Sequence, residues 1–260
     1  MTSSAAQTPG AALYETSGLV DQYLEFHYGP EALGVRNFPV ACIDAVMTAI
    51  GPGNRERCLD VGCAVGRSAI ELARQFSHVD AIDFSAGFIS AAARLQAEGA
   101  VNFRVPTEGA LTVERAVSLA DLNATSLASR ITFATGDACD LPADLTDYDL
   151  VFAGNLIDRL YEPQRFLTAM AERIRPGGWL AITSPYTWLE DYTPKQYWLG
   201  GYTDAAGKPV TTLAGLTVAL GGAFSLHQRL DVPFVIRETA RKHQHTLADL
   251  TIWQRSEKPS

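Results

Sequence analysis

The chain has 260 residues, 47% of them hydrophobic and 9% aromatic, enough to bury one large α/β core without disulfide or metal staples. Its 21 Lys and Arg against 29 Asp and Glu leave a formal charge of −8, which excludes a surface built to neutralise phosphates and points to a small molecule, not nucleic acid or an anionic membrane, as partner. Four scattered cysteines without C-x-x-C spacing, a start lacking basic and apolar signal regions, and no apolar run near the roughly 20 residues of a membrane helix predict a soluble cytoplasmic protein.

The opening residues are small and polar, as in a frayed terminus. Two helices are predicted next, Gly18–Tyr28 with a broad face of Leu19, Val20, Tyr23, Leu24, Phe26 and Tyr28, and Val40–Ile50, which Gly51-Pro52-Gly53 stops. From Arg57 onward short apolar strands alternate with amphipathic helices, the pattern of a parallel sheet covered on both faces. Strands are expected at Arg57–Val61, Val79–Asp83, Ile131–Thr135, Leu150–Ala153 and Trp179–Thr183, joined by helices at Arg67–Phe76, Ala86–Glu98 and Pro163–Arg173. Residues 184–207, rich in aromatics, Gly and Pro, read as a long loop; a helix near Leu213–Leu220 and strands Phe224–Arg229 and Leu247–Gln254 complete the chain. The expectation is one domain in three parts: an N-terminal helical cap (1–53), a core (54–183), and a loop with terminal strands on the substrate side (184–260).

Chemistry concentrates where the first strand enters its helix, in Asp60-Val61-Gly62-Cys63-Ala64-Val65-Gly66-Arg67. A Gly-bearing turn there is expected to present free backbone N–H groups and a positive helix end at the carboxyl edge of the sheet. Asp83 closes the next strand 23 residues after Asp60, placed to accept both hydroxyl protons of a ribose, with Phe84 and Ser85 following it. That spacing serves NAD and S-adenosylmethionine (SAM) equally. Asp60 has a plainer reading as a residue that hydrogen-bonds its own loop. Gly136-Asp137-Ala138 after the third strand puts an Asp near an adenine edge, and Gly154-Asn155 ends the fourth strand beside the expected methyl-donor position.

In these four places the run from Cys58 to Thr183 resembles the class I methyltransferases. The resemblance implies a Rossmann-like, seven-stranded, mostly parallel sheet with an N-terminal helical lid, and SAM as cofactor with no metal. One departure is Ala64, which replaces the middle Gly of the family's D-x-G-x-G-x-G loop; a methyl group is tolerable there if φ is negative.

Further segments resemble one group within that class, the 4-mercaptohistidine N-methyltransferase domains that form the C-terminal part of bifunctional ovothiol-biosynthesis enzymes. They are Tyr14-Glu15-Thr16, Gln22–Gly29, Asn37-Phe38-Pro39, Asp60–Ser68, Asn155–Tyr161, Thr183–Glu190, Trp198–Gly201 and Pro233–Thr239. This implies methylation of an imidazole nitrogen of 5-thiohistidine, giving ovothiol A. The iron-dependent sulfoxide synthase module of that family has no room here, so a stand-alone version supplied by a separate sulfoxide synthase is expected.

A sulfonium methyl is already electrophilic, so the protein's task is to orient the nucleophile and fix its tautomer. Candidate groups are Asn155 toward the ring or the substrate amine, Arg159 or Arg237 toward a carboxylate, and Asp158 or Glu238 toward an ammonium or ring N–H. Tyr186 and Trp188 are candidates to wall the ring, Tyr14, Tyr23 and Tyr28 to form a lid, and His243 or His245 to act as base. Plainer readings stand beside these: Asp158-Arg159 as a helix-start charge pair, Arg237-Glu238 as a cross-strand ion pair, and Tyr186, Trp188 and Trp198 as a satellite core. Three other functions also stay open: a methyltransferase of another small molecule, a nicotinamide-dependent oxidoreductase, and a non-catalytic methyltransferase-like partner protein.

Overall fold

The structure, a computed structural model, describes residues 16–257. Helix α1 (Ser17–Tyr28) leads into α2 (Phe38–Ile50), whose N-cap Asn37 accepts a hydrogen bond from the Val40 N–H and whose first turn holds Pro39. Then follow β1 (Arg57–Val61), α3 (Arg67–Ala73), β2 (His78–Asp83) and α4 (Ala86–Glu98), capped by the Ser85 hydroxyl. Next come β3 (Ala100–Glu108), β4 (Leu111–Ser118), β5 (Ile131–Thr135), β6 (Tyr148–Gly154), α5 (Pro163–Arg173) and β7 (Ile174–Ser184). The chain closes with β8 (Tyr202–Thr203), β9 (Pro209–Val210), α6 (Thr212–Leu220), β10 (Phe224–Arg237) and β11 (His243–Arg255).

Seven strands form one sheet in the order β10-β11-β7-β6-β1-β2-β5, parallel except where β11 runs antiparallel to β7 and β10. Alternation along each strand divides the apolar side chains between two layers. Cys58, Leu150 and Phe152 pack with α1 to α4, while Leu59, Val61, Val151 and Ala153 pack with α5 and α6. The strand order reverses at β1, whose partners are β2 on one side and β6 on the other. That reversal opens a crevice at the carboxyl ends of β1 and β6. The opposite end is closed by buried Asp149, which accepts from the Glu56 and Arg57 N–H groups (2.7 and 2.9 Å) and pairs with Arg175 (2.6 Å).

Three features differ from the expectation. A hairpin, β3–β4, stands between α4 and β5, inside a stretch to which no strand had been assigned. The two terminal strands extend well beyond Phe224–Arg229 and Leu247–Gln254, pairing as one long hairpin from Phe224↔Arg255 to Arg237↔His243. Helix α3 ends at Ala73, not Phe76; a short turn carries the chain on through the Gln75 and Phe76 N–H bonds to Leu72 O.

Candidate functional site

The turn after β1 is built inward. The N–H groups of Gly62 and Cys63 donate to Ile82 O (2.8 and 3.0 Å), that of Gly66 to Cys63 O (2.9 Å), and that of Ala64 to the Asp83 carboxylate (2.8 Å). The Gly62, Cys63 and Ala64 amides therefore bind the loop to β2, that of Gly66 closes the turn on itself, and none of the four faces outward as expected. Ala64 adopts φ +47°, not a negative value. Its N–H is held by Asp83, and its buried methyl bears a left-handed conformation that costs roughly 1 kcal/mol relative to Gly. Gly62 (φ +75°) leaves room for Leu156, whose Cδ1 would lie 2.9 Å from an added Cβ.

Asp60 lies under this turn, fully buried, with Oδ2 accepting from Ser68 Oγ (2.6 Å) and Oδ1 without a partner among the described residues. Burial raises its carboxyl to about 7; the Ser68 bond opposes this and the charge of Asp83 adds to it. Asp83 accepts from Ala64 N–H through one oxygen and from Ser85 N–H (2.9 Å) through the other. Both oxygens are therefore engaged at the edge of the cavity that Asp83 lines. Asp137 accepts from Cys139 N–H (2.8 Å) and from the Tyr161 hydroxyl (3.0 Å). Asn155 sits at φ +49°, a conformation Asn tolerates better than most. Its N–H donates to Thr183 O (2.9 Å) while its side-chain Oδ1 accepts from Thr183 Oγ1 (3.1 Å), which leaves the amide N–H donors outside this pairing.

Asp83, Asp137 and Asn155 border a cavity of about 270 Å³. Gly62, Ala64, Asp83, Phe84, Ser85, Asp137 and Ala138 line one part of it. Asn155, Leu156, Asp158, Arg159, Tyr161 and Tyr192 line it as well, Leu156 next to Gly62 and Tyr161 bonded to Asp137. The helical cap supplies Tyr23, Phe26, His27, Phe38 and Pro39, with Phe234 and Ile236 of β10 beside them. Buried Asp158 collects four donors, from Ser184 Oγ (2.9 Å), Thr187 N–H (3.1 Å), Thr187 Oγ1 (2.9 Å) and Arg159 (2.9 Å), so it fixes its neighbours more than it offers a free oxygen. Arg159 also donates to Thr187 O (2.9 Å), lies over the Tyr192 ring, and is the one Lys or Arg among the described lining residues.

Several residues expected at the site stand elsewhere. Asp60, Cys63, Gly66 and Arg67 lie behind the cavity wall, Arg67 paired with Glu71 (2.9 Å) and placed over the Tyr28 ring. Tyr28 spends its hydroxyl on Val65 O (2.8 Å) and Tyr186 on Asp249 (2.8 Å); burial, and for Tyr186 also that bond, raises both phenols well above their ordinary value. Trp188 donates to Thr212 Oγ1 (2.8 Å) and stacks with Trp198, the satellite core of the plainer reading. Glu238 turns outward at the hairpin tip to Lys242 and Gln244, and Arg237 bonds instead to Glu25 of α1 (3.3 Å), so the two do not pair with each other. Arg237 and His243 line a second cavity of about 290 Å³. Tyr14 lies outside the described residues. The reading missed Phe26, Phe38, Phe234 and the wall position of His27, although each sits in a segment that carried the thiohistidine resemblance.

Comparison with known proteins accords with this architecture. A crystal structure of magnesium protoporphyrin IX methyltransferase from Synechocystis PCC 6803 with bound SAM is 15% identical, covers 98% of this chain and 100% of its own, and superposes with a TM-score of 0.55. The [4+2]-cyclase SpnF gives a TM-score of 0.61 at 18% identity over 97% of both chains. The chain has the class I methyltransferase fold. Residues 59–180 match the family model of a methyltransferase domain. The demethylmenaquinone methyltransferase of Clavibacter sepedonicus is 29% identical over 138 residues, 53% of this chain and 44% of the relative, so the chain spans less than half the length of that relative. Among the described residues no helix is long and apolar enough to cross a membrane.

Proposed function

We propose that this protein binds SAM in the crevice beyond β1 and β2 and transfers its methyl group to a small molecule held under α1. The observation that carries the reading is Asp83, a carboxylate at the end of β2 that braces the turn after β1 and lines the cavity at the strand-order reversal. The site fits that cofactor: Asp83 lines the cavity with a carboxylate, the acceptor type that ribose hydroxyls call for, Gly62 keeps the backbone close to Leu156, and Asp137 with Ala138 borders the same cavity. When bound, SAM supplies a methyl group on a sulfonium, and the chain's own residues supply orientation and exclusion of water. Asn155 offers amide donors, Arg159 a cation for an acceptor carboxylate, and the aromatic cap an apolar cover.

The finer reading is that the acceptor is 5-thiohistidine, methylated on a ring nitrogen. It is supported by the convergence of the segments that resemble the thiohistidine group, Gln22–Gly29, Asn37–Pro39, Asn155–Tyr161 and Pro233–Thr239, on the walls of this one cavity. The likeness of SpnF, a cyclase, shows that this fold alone does not dictate the reaction. Thermal-shift titration should give a higher melting temperature with S-adenosylhomocysteine and none with NAD; a response to NAD alone would support the oxidoreductase instead. Incubation with methyl-labelled SAM and a panel of 5-thiohistidine, histidine and ergothioneine should place one added methyl on a ring nitrogen of 5-thiohistidine. Labelling of a different panel member would keep the enzyme class and replace the acceptor.

A further inference from the structure

His27 stands on the last turn of α1 and lines the cavity, with only 7% of its surface exposed. Its backbone is pinned, since His27 O accepts from the Asn37 side chain (2.8 Å) that caps α2. Its ring is packed against Tyr23 (5.8 Å between centroids) and Phe26 (5.3 Å). Yet Nδ1 is buried without a hydrogen-bond partner among the described residues. Burial, with the charge of Arg67 adding to it, lowers the imidazole to about 3, so the ring is neutral at any working pH and carries one donor and one acceptor nitrogen. A buried polar group without a partner lowers stability, and such groups in a folded protein call for an explanation.

The surroundings supply one. The wall around His27 is aromatic, formed by Tyr23, Phe26, Phe38, Phe88 and Phe234, with rings inclined to one another (90° between Tyr23 and Phe26, 47° between Phe38 and Phe234), while Asn155 and Arg159 line the same cavity. A planar ring with a polar edge matches such a wall, its faces covered by aromatic side chains and its edge turned to a hydrogen-bonding group. We propose that His27 is a specificity-determining residue that hydrogen-bonds the ring N–H or O–H of a planar acceptor and so sets which ring atom faces the methyl donor. No proton is transferred to His27; it acts as a neutral contact that orients the ring. The proposal rests on the methyl-transfer reading for its purpose, but the contact can be measured apart from turnover.

The test uses the full chain saturated with S-adenosylhomocysteine and two ring probes, 5-thiohistidine for the azole and catechol for the phenol. Nitrogen NMR of the histidine rings, with His27 assigned by its absence in His27→Phe, is expected to show its signals moving with at least one probe. Calorimetry with that probe should show roughly 10- to 100-fold weaker binding in His27→Phe and partial recovery in His27→Asn, which restores a hydrogen-bonding edge. S-adenosylhomocysteine affinity should stay within about twofold in both variants, and the melting temperature of His27→Phe should not fall, because an unsatisfied polar group is removed. The proposal is overturned if neither probe moves the His27 signals, or if His27→Phe binds the probe as the parent does. A lowered melting temperature with unchanged probe affinity would likewise overturn it, assigning the ring to packing. Absence of S-adenosylhomocysteine binding in the parent sinks the donor reading instead, and His27 is then judged on the probe titration alone.

Discussion

Replacing Asp60 with Asn should change how stability depends on pH, and the size of the effect follows from its burial. The folded carboxyl titrates near 7, against an ordinary value of 3.8, because the group is fully buried and the charge of Asp83 adds to that effect, opposed among the described residues by the Ser68 bond. Below 3.8 both the folded and unfolded chains hold the proton, and Asp60 exacts no penalty. Between 3.8 and 7 the folded chain binds more protons than the unfolded one, so stability falls as pH rises, by up to about 1.4 kcal/mol per pH unit. Above 7 the whole penalty is present, on the order of 4 kcal/mol. Asn cannot ionise, preserves the volume, and can still accept the Ser68 hydroxyl. Urea denaturation of both proteins at pH 5, 6, 7 and 8 should therefore show Asp60→Asn gaining stability on the parent up to neutrality, with the difference levelling off near pH 8. A difference that stays constant across that range would refute the assignment of a raised carboxyl to Asp60.

Four further outcomes follow from particular contacts. Asp149→Ala should destabilise the fold by about 3 kcal/mol in denaturant melts, because it strips two backbone N–H groups and Arg175 of their partner, while leaving S-adenosylhomocysteine affinity unchanged at the far end of the sheet. Gly62→Ala should weaken that affinity and cost about 1–2 kcal/mol, since a Cβ would meet Leu156 at a φ of +75°; an unaffected Kd would show that the turn has slack. Asn155→Ala should lose about 1 kcal/mol of stability and lower methyl transfer more than donor binding, as measured by turnover beside calorimetry. Trp188→Phe should cost about 1 kcal/mol through its lost bond to Thr212 and leave acceptor KM unchanged, because Trp188 is not on the cavity wall.

What the sequence disclosed is what period and spacing encode. The core strands between Arg57 and Thr183 are short, largely apolar segments interrupted by single polar residues such as Asp60 and Asp80, and the spacing of Asp60 to Asp83 survives as the turn braced by Asp83. The hairpin β3–β4 was legible in the alternation of Val101, Phe103 and Val105, all buried, ahead of Gly109 at φ +55°. It was missed because the βαβ pattern provides no place for an antiparallel ribbon between a helix and the next strand. The acceptor side was harder because composition does not show which way a polar side chain turns. Arg237, Glu238 and Tyr186 had the right chemistry, yet each found a partner within the protein, in Glu25, Lys242 and Asp249. The sign of φ at Ala64 depends on a tertiary bond to Asp83, which no local propensity reveals.

Calorimetric titration of the purified protein with S-adenosylhomocysteine, repeated on Asp83→Ala, bears most directly on the proposed donor site. One molecule bound per chain is expected, with affinity reduced by roughly 100-fold or more when the carboxylate is removed, since charge-assisted bonds to ligand hydroxyls are lost together with the brace on the turn. No heat of binding in the parent, or equal affinity in Asp83→Ala, would contradict the account.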